Sequence, residues 1–121
     1  KTIAVLGLSF KPETDDIRDA PAVTIISTLL EHGAIVRAHD PQAMPEAARV
    51  LPEVAFCANP YEACQDAHAV VLMTEWNEYR ALDLERVKNL LSEPVFVDLR
   101  NVYVPTAMKE LGFRYHSVGR H

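Results

Sequence analysis

The sequence is poor in the residues on which several classes of protein depend. Its 121 residues include four glycines, two cysteines and one tryptophan. Two cysteines, Cys57 and Cys64, are too few to cross-link a secreted miniprotein, and their spacing matches neither a zinc motif nor CxxC. No apolar run approaches the roughly 18 residues that a membrane span requires. We therefore expect a reduced, cytoplasmic compartment and no membrane segment.

The scarcity of glycine also bears on nucleotide binding. A dinucleotide-binding domain carries GxGxxG after its first strand, because glycines let the backbone approach a pyrophosphate. In this chain residues 7–12 read GLSFKP, with one glycine. The sequence therefore lacks a normal NAD site.

The remaining composition is that of an ordinary globular protein, with 49% hydrophobic and 24% charged residues. A chain of this length buries about two-thirds of its extended surface, which suffices for one core, so we expect a single domain at residues 1–121. The net charge of -5 argues against sequence-independent binding to nucleic acid or to an anionic membrane. The chain starts at Lys1 rather than at a methionine, and we expect a domain of a longer protein.

Short β-rich runs alternate with helical runs along the chain. We predict six strands, at residues 2–8, 34–38, 54–57, 69–73, 94–99 and 113–118. Helices are predicted from Pro21 to Gly33, at 46–51, at 60–64, after Trp76, from Asp83 to 91, and at 106–111. This alternation predicts an α/β fold, a Rossmann-like three-layer sandwich with a mostly parallel six-stranded sheet and helices on both faces.

Ligands of such a sheet bind beyond the carboxyl ends of the strands, near the point where strand order reverses. The loop after the first strand is the most informative, because Lys11 and Arg18 stand there among four acidic residues. A lysine beside a helix N-terminus suits a phosphate. A solvated loop whose charges pair with one another explains the same residues equally well.

Two other strand ends carry polar residues. Asp40 stands where Rossmann domains place a ribose-binding acid, but without the glycine fingerprint we favour a cap of the turn at Pro41. Arg100 and Asn101 follow the fifth strand and can grip a phosphate or a base edge. A salt bridge from Arg100 to Asp98 or to the acidic loop is nearly as good an interpretation.

The residues offer little for nucleophilic or metal chemistry. Cys57 and Cys64 fit small buried hydrophobes better than reactive thiols. The five histidines show no metal-binding spacing. The Asp15-Asp16 pair and Thr74 echo a phosphoacceptor receiver domain, but the third strand ends without the acceptor aspartate. We therefore assign no catalytic residue and no metal ligand.

Residues 7–21, GLSFKPETDDIRDAP, closely resemble the signature that opens the C-terminal domain of the UDP-glucose/GDP-mannose dehydrogenase family. Further segments are similar: HDP at 39–41, TEW at 74–76, DLRN at 98–101 against the family's DGRN, and SVGR at 117–120. The resemblance therefore covers essentially the whole chain.

The resemblance implies a nucleotide-sugar-binding domain, the C-terminal part of a longer NAD-dependent dehydrogenase. Enzymes of the family oxidise the C6 alcohol of a nucleotide-linked hexose to a carboxylate, with two NAD⁺ and a cysteine nucleophile that forms a thioester. By this resemblance Phe10 and Lys11 contact the substrate and Arg100 completes its site, while Arg18 reaches NAD bound by another domain. The expected substrate is UDP-glucose, oxidised to UDP-glucuronate, and the full-length enzyme is expected to be a homodimer.

The chain departs from the family pattern in two ways. Leu99 stands where the family carries a glycine before the Arg-Asn pair, which puts the backbone of that loop and the role of Arg100 in question. The GGxCxPKD-type segment of the nucleophile and the GxGxxG of the NAD site are both absent. We therefore predict that this chain alone has no dehydrogenase activity. The alternatives are UDP-N-acetylmannosamine or GDP-mannose as the substrate, or a non-catalytic nucleotide-binding regulatory module.

Overall fold

The computed structural model describes residues 1–8, 21–42, 44–74 and 77–117. Strands and helices alternate through these ranges, except that two helices stand between the fourth and fifth strands. The strands are β1 (Thr2–Leu6), β2 (Ile35–His39), β3 (Ala55–Phe56), β4 (Ala69–Leu72), β5 (Val95–Asp98) and β6 (Arg114–Ser117). The helices are α1 (Pro21–Glu31), α2 (Met44–Val50), α3 (Pro60–Cys64), α4 (Asn77–Arg80), α5 (Leu84–Leu90) and α6 (Pro105–Glu110).

The six strands form one sheet in the order β3-β2-β1-β4-β5-β6. Every pair of neighbouring strands is parallel. The chain builds one half of the sheet outward from β1 and then returns to start the other half at β4. This is the doubly wound order of a Rossmann-like fold. The predicted α/β class is confirmed, and the sheet is wholly parallel across these strands.

Side chains that alternate along β1 divide the interior into two cores. Ala4 and Leu6 are buried on one face of the sheet and Val5 on the other, as the two-residue period of a strand requires. The Val5 face is covered by α1 and α2 through buried residues such as Ile26 and Ala47. Both faces are therefore covered, which makes the three layers.

Aromatic packing organises the opposite face, which is covered by the helices from α3 onward. Phe96 of β5 is fully buried at the centre of this aromatic cluster. Its ring meets those of Tyr103 and Phe113 edge to face, with centroids 5.4 and 5.6 Å away. Met108 of α6 is buried in the same cluster. The region around the end of β5 is thus held by large, well-packed rings.

Local sequence signals set several helix ends. Asn59 caps α3, its side-chain oxygen accepting the N–H of Glu62 at 2.8 Å. Asp83 caps α5 in the same way through Arg86. Gly33 follows α1 with a left-handed φ of 85°, a conformation that glycine adopts without steric cost. The helix start at Asp83 and the helix end at Gly33 are the ones that the sequence predicts.

Candidate functional site

The carboxyl ends of the four central strands meet at one edge of the sheet. Parallel pairing sets Leu6 of β1 beside His39 of β2 on one side and Leu72 of β4 on the other. Leu72 in turn lies beside Asp98 of β5. The residues that follow these four positions therefore lie next to one another. Strand order reverses between β1 and β4, so this edge is where an α/β sheet binds its ligand.

Gly7 lies at the reversal point itself. Its φ is 95°, and a β-carbon there would lie 2.6 Å from the Cβ and 2.7 Å from the backbone nitrogen of Thr74. Thr74 is fully buried, so a side chain at residue 7 has no space to enter. The glycine is needed because β1 and β4 approach closely at this point. This packing reason explains Gly7 without a bound pyrophosphate.

Asp40 is fully buried at the end of β2. One carboxylate oxygen accepts the N–H of Gln42 at 2.9 Å, and the other accepts the N–H of Leu8 at 2.8 Å. The first contact is the predicted turn cap, which is confirmed. The second ties the start of the first loop to β2. A ribose-binding acid needs an accessible carboxylate, so the described residues do not fit NAD at this position.

His39 and Tyr79 join β2 to α4 beneath the same edge. The Tyr79 hydroxyl donates to the carbonyl of His39 at 2.8 Å and lies 3.0 Å from its Nδ1. Because the hydroxyl proton is used on the carbonyl, we assign the imidazole proton to Nδ1, which donates to the hydroxyl oxygen. Burial lowers the pKa of His39, although Glu78, 4.0 Å from Nε2, opposes this. His39 is therefore a neutral structural group.

Asp98 at the end of β5 is also fully buried. Its Oδ1 accepts the N–H of Arg100 at 3.0 Å. Its Oδ2 accepts the N–H groups of Val102 and Tyr103 at 2.8 and 3.0 Å. The hydroxyl of Tyr115 donates to the same oxygen at 2.7 Å. The described contact between Asp98 and Arg100 thus runs through the Arg100 backbone. The acidic loop, the other predicted salt-bridge partner of Arg100, lies outside the described residues.

The loop that follows β5 presents Arg100 at the edge of the sheet, with the residue exposed. Of the non-glycine residues in the described ranges, Asp66 and Asn101 have a positive φ. Asn101, at 56°, is therefore the left-handed residue of this loop, a conformation that asparagine tolerates. Leu99 is partly buried against the Val5 core, so this loop needs no glycine at residue 99.

The predicted site residues divide into two groups. Arg100 lies at the carboxyl edge, as predicted. Phe10, Lys11 and Arg18 lie outside the described residues, as does Trp76. Sequence reasoning missed the supporting groups, above all the tyrosines at 79, 103 and 115. No local signal marks them, because their partners are distant in sequence.

Cys57 and Cys64 are free thiols, and both are buried, as predicted. Burial raises the pKa of Cys64 to about 12 and also raises that of Cys57. Both thiols stay protonated near neutrality and so are poor nucleophiles. Within the described ranges, no three His, Cys, Asp or Glu side chains are grouped to hold a metal ion. None of the helices described there is both long enough and apolar enough to cross a membrane.

Comparison with known proteins identifies relatives along nearly the whole chain. Residues 4–105 match the model of the UDP-glucose/GDP-mannose dehydrogenase family, UDP binding domain. The UDP-glucose 6-dehydrogenase of Rhizobium meliloti is 48% identical over 118 residues, and that of Pseudomonas aeruginosa is 44% identical over 126. These alignments cover 98% and 99% of this chain but 27% and 28% of the relatives. The chain thus spans just over a quarter of their length.

Solved structures show the same relation. The NDP-N-acetyl-D-galactosaminuronic acid dehydrogenase of Methanosarcina mazei Go1 superposes with a TM-score of 0.86 at 30% identity, covering 99% of this chain and 25% of that one. A UDP-glucose dehydrogenase from Pyrobaculum islandicum gives 0.75 at 34% identity, covering 95% and 24%. The fold of the described residues is therefore one that occurs as a portion of larger dehydrogenases.

Proposed function

The chain belongs to the UDP-glucose/GDP-mannose dehydrogenase family, and on that premise we propose that it is the UDP-sugar-binding domain of an NAD-dependent UDP-glucose 6-dehydrogenase. The observation that carries the proposal is the identity of 44–48% to UDP-glucose 6-dehydrogenases along the whole chain. The exposed Arg100 at the reversal edge of the sheet supports it, since that edge is where such sheets hold ligands.

In this proposal the domain extends over residues 1–121 and grips the nucleotide end of the substrate. Phe10 and Lys11 contact the substrate, with the Lys11 ammonium near its phosphate-sugar portion. Arg100 completes the site, and a guanidinium can make paired hydrogen bonds to phosphate oxygens. Arg18 reaches NAD held by another domain. These roles come from the family resemblance, and the position of Arg100 is consistent with them.

The chemistry itself belongs to the rest of the enzyme. We propose a cytoplasmic homodimer that oxidises UDP-glucose to UDP-glucuronate with two NAD⁺, the NAD site and the cysteine nucleophile lying in the remaining three-quarters of the protein. The described residues of this chain hold no NAD-type acid, because Asp40 is engaged inward. Its cysteines are buried thiols. Measurable NAD⁺ reduction with UDP-glucose by the purified chain would contradict this division of labour.

Titration of the 121-residue chain with UDP, by calorimetry or NMR, tests the binding role. Replacing Arg100 with alanine removes a charged phosphate contact of roughly 1.5–3 kcal/mol and should weaken binding by about tenfold or more. Arg114→Ala is the matched control, because Arg114 starts β6 at the opposite edge, where it pairs with Glu93 at 3.6 Å. Equal affinities for the Arg100 variant and the unaltered chain would refute the assigned site.

A second candidate within the family is another nucleotide sugar, since the structure also superposes on an NDP-N-acetyl-D-galactosaminuronic acid dehydrogenase. A binding panel of UDP, GDP, UDP-glucose, UDP-N-acetylmannosamine and GDP-mannose distinguishes the candidates. Preference for GDP over UDP would exclude the uridine site. Equal binding of UDP and the UDP-sugars would show that this domain reads the nucleotide and leaves the sugar to the rest of the enzyme.

A further inference from the structure

The hydrogen bonds at Asp98 form an unusual concentration of donors on one buried carboxylate. Three of the donors are backbone N–H groups within residues 100–103. The fourth is the hydroxyl of Tyr115, on the neighbouring strand. Hydrogen bonds to an ionised group are about twice as strong as those between neutral groups. The carboxylate therefore determines the path of the whole loop that carries Arg100.

We propose that Asp98 is a positioning residue for nucleotide binding, which fixes the backbone on both sides of Arg100 and so holds the guanidinium ready for the phosphates of a nucleoside diphosphate. The inference rests on the proposed role of Arg100. A loop that is already ordered before the ligand arrives loses less conformational entropy on binding, and this raises affinity without adding any contact.

The surroundings of Asp98 hold the carboxylate itself in one orientation. Tyr115 approaches it from β6, and the Tyr115 ring lies in the aromatic cluster around Phe96, with centroids 6.2 Å apart. The Tyr103 hydroxyl donates to the carbonyl of Tyr79. The far end of the loop is thereby joined to α4 as well as to Asp98. A rigid base of this kind is what a positioning role requires.

Replacing the carboxylate by an amide separates its charge from its shape. In an Asp98→Asn variant, one oxygen becomes an NH₂ donor and must face either the N–H of Arg100 or the donors grouped on the other oxygen. The new NH₂ group then faces another hydrogen-bond donor, so part of the loop loses its hydrogen bond to residue 98. The volume of the side chain is kept. Tyr115→Phe is a milder test, because it removes one of the four donors and leaves the backbone contacts in place.

The experiment is a double-mutant cycle for UDP binding with Asp98→Asn and Arg100→Ala. We expect Asp98→Asn to weaken binding about tenfold in the unaltered chain and by less than twofold when Arg100 is already alanine. Tyr115→Phe should weaken it about threefold. Val87→Ala, in the same core but on α5, is the control for simple destabilisation. It should lower the midpoint of unfolding and leave the affinity unchanged.

Independent effects of the two substitutions would overturn the inference, because Asp98 would then act on the fold rather than through Arg100. NMR gives a second readout. In Asp98→Asn the amide protons that face the new NH₂ group, either that of Arg100 or those of Val102 and Tyr103, should move upfield and exchange faster. Unchanged amides at all three residues would also refute the inference. If Asp98→Asn does not fold, the same cycle with Tyr115→Phe decides. Absence of UDP binding by the unaltered chain overturns the proposed function instead, and the amide measurement still decides whether Asp98 holds the loop.

Discussion

Replacing Gly7 with alanine tests the close join between the two halves of the sheet. The substitution adds one methyl group, and the structure shows where that group must go. It would lie 2.6–2.7 Å from three atoms of Thr74, one of them the backbone nitrogen. Non-bonded carbon atoms need roughly 3.5–4.0 Å. Because Thr74 is buried and part of the contact is backbone, β1 and β4 must move apart or the chain must bend.

The expected loss of stability has two parts. A φ of 95° is unfavourable for an L-residue by about 1–2 kcal/mol. Forcing an extra methyl group into a packed interior costs about 1–3 kcal/mol more. We therefore expect the free energy of unfolding to fall by about 2–5 kcal/mol, out of a total of about 6–18 kcal/mol for a chain of this length. At about 4 °C per kcal/mol for this size, the melting temperature should fall by about 8–20 °C.

Urea and thermal unfolding followed by circular dichroism measure this loss. Gly33→Ala is the matched control, because Gly33 has a φ of 85° but nothing within 4 Å of the added carbon. It should lose the conformational part alone, about 1–2 kcal/mol. If the two variants are destabilised equally, the contact with Thr74 carries no energy and the steric reasoning is wrong.

Two further predictions concern the buried titratable groups. Burial lowers the pKa of His39, so unfolding takes up a proton as the pH falls below about 6.5, and the stability present above that pH is lost on acidification. The unfolding free energy, measured by urea titration, should decline less between about pH 7 and pH 5 in His39→Asn, whose amide can still donate to Tyr79. If the unfolding free energies of the variant and the unaltered protein fall in parallel with pH, this reasoning is contradicted. Cys57 and Cys64 should resist iodoacetamide in the folded protein and react in denaturant, as followed by mass spectrometry, because burial raises the pKa of both thiols. Modification of either thiol at native conditions would show that the cores open more readily than their packing indicates.

The elements with local signals could be predicted from the sequence. Asn59 and Asp83 cap helices by contacting a backbone N–H three residues away. The glycine after α1 likewise ends the helix that it directly follows. Apolar runs mark the buried central strands. The ends of the strands were less well predicted, since β1 stops at Leu6 rather than residue 8. The positive φ of Gly7 takes the chain out of the extended conformation, and no composition rule reveals which glycine does so.

The groups that support the site could not be predicted, for physical reasons. Tyr79 meets His39 across 40 residues of sequence, and Tyr115 meets Asp98 across 17. Such contacts depend on the register between strands, which a single sequence does not specify. Leu99 illustrates the same limit. Its departure from the family's glycine suggested an altered loop, whereas the left-handed residue of that loop is Asn101.

The position of β1 at the centre of the sheet has a consequence for how the chain acquires its fold. Ile3 pairs with Val36 on one side and, at twice that separation along the chain, with Ala69 on the other. On a ribosome the most deeply buried strand therefore emerges before the others and keeps one edge open until β4 has been made. Contacts between distant residues slow folding, and open apolar edges favour aggregation in the meantime. Synthesis that stalls before residue 69 leaves a hydrophobic strand with half of its hydrogen-bonding partners missing, a substrate for chaperones rather than a smaller domain.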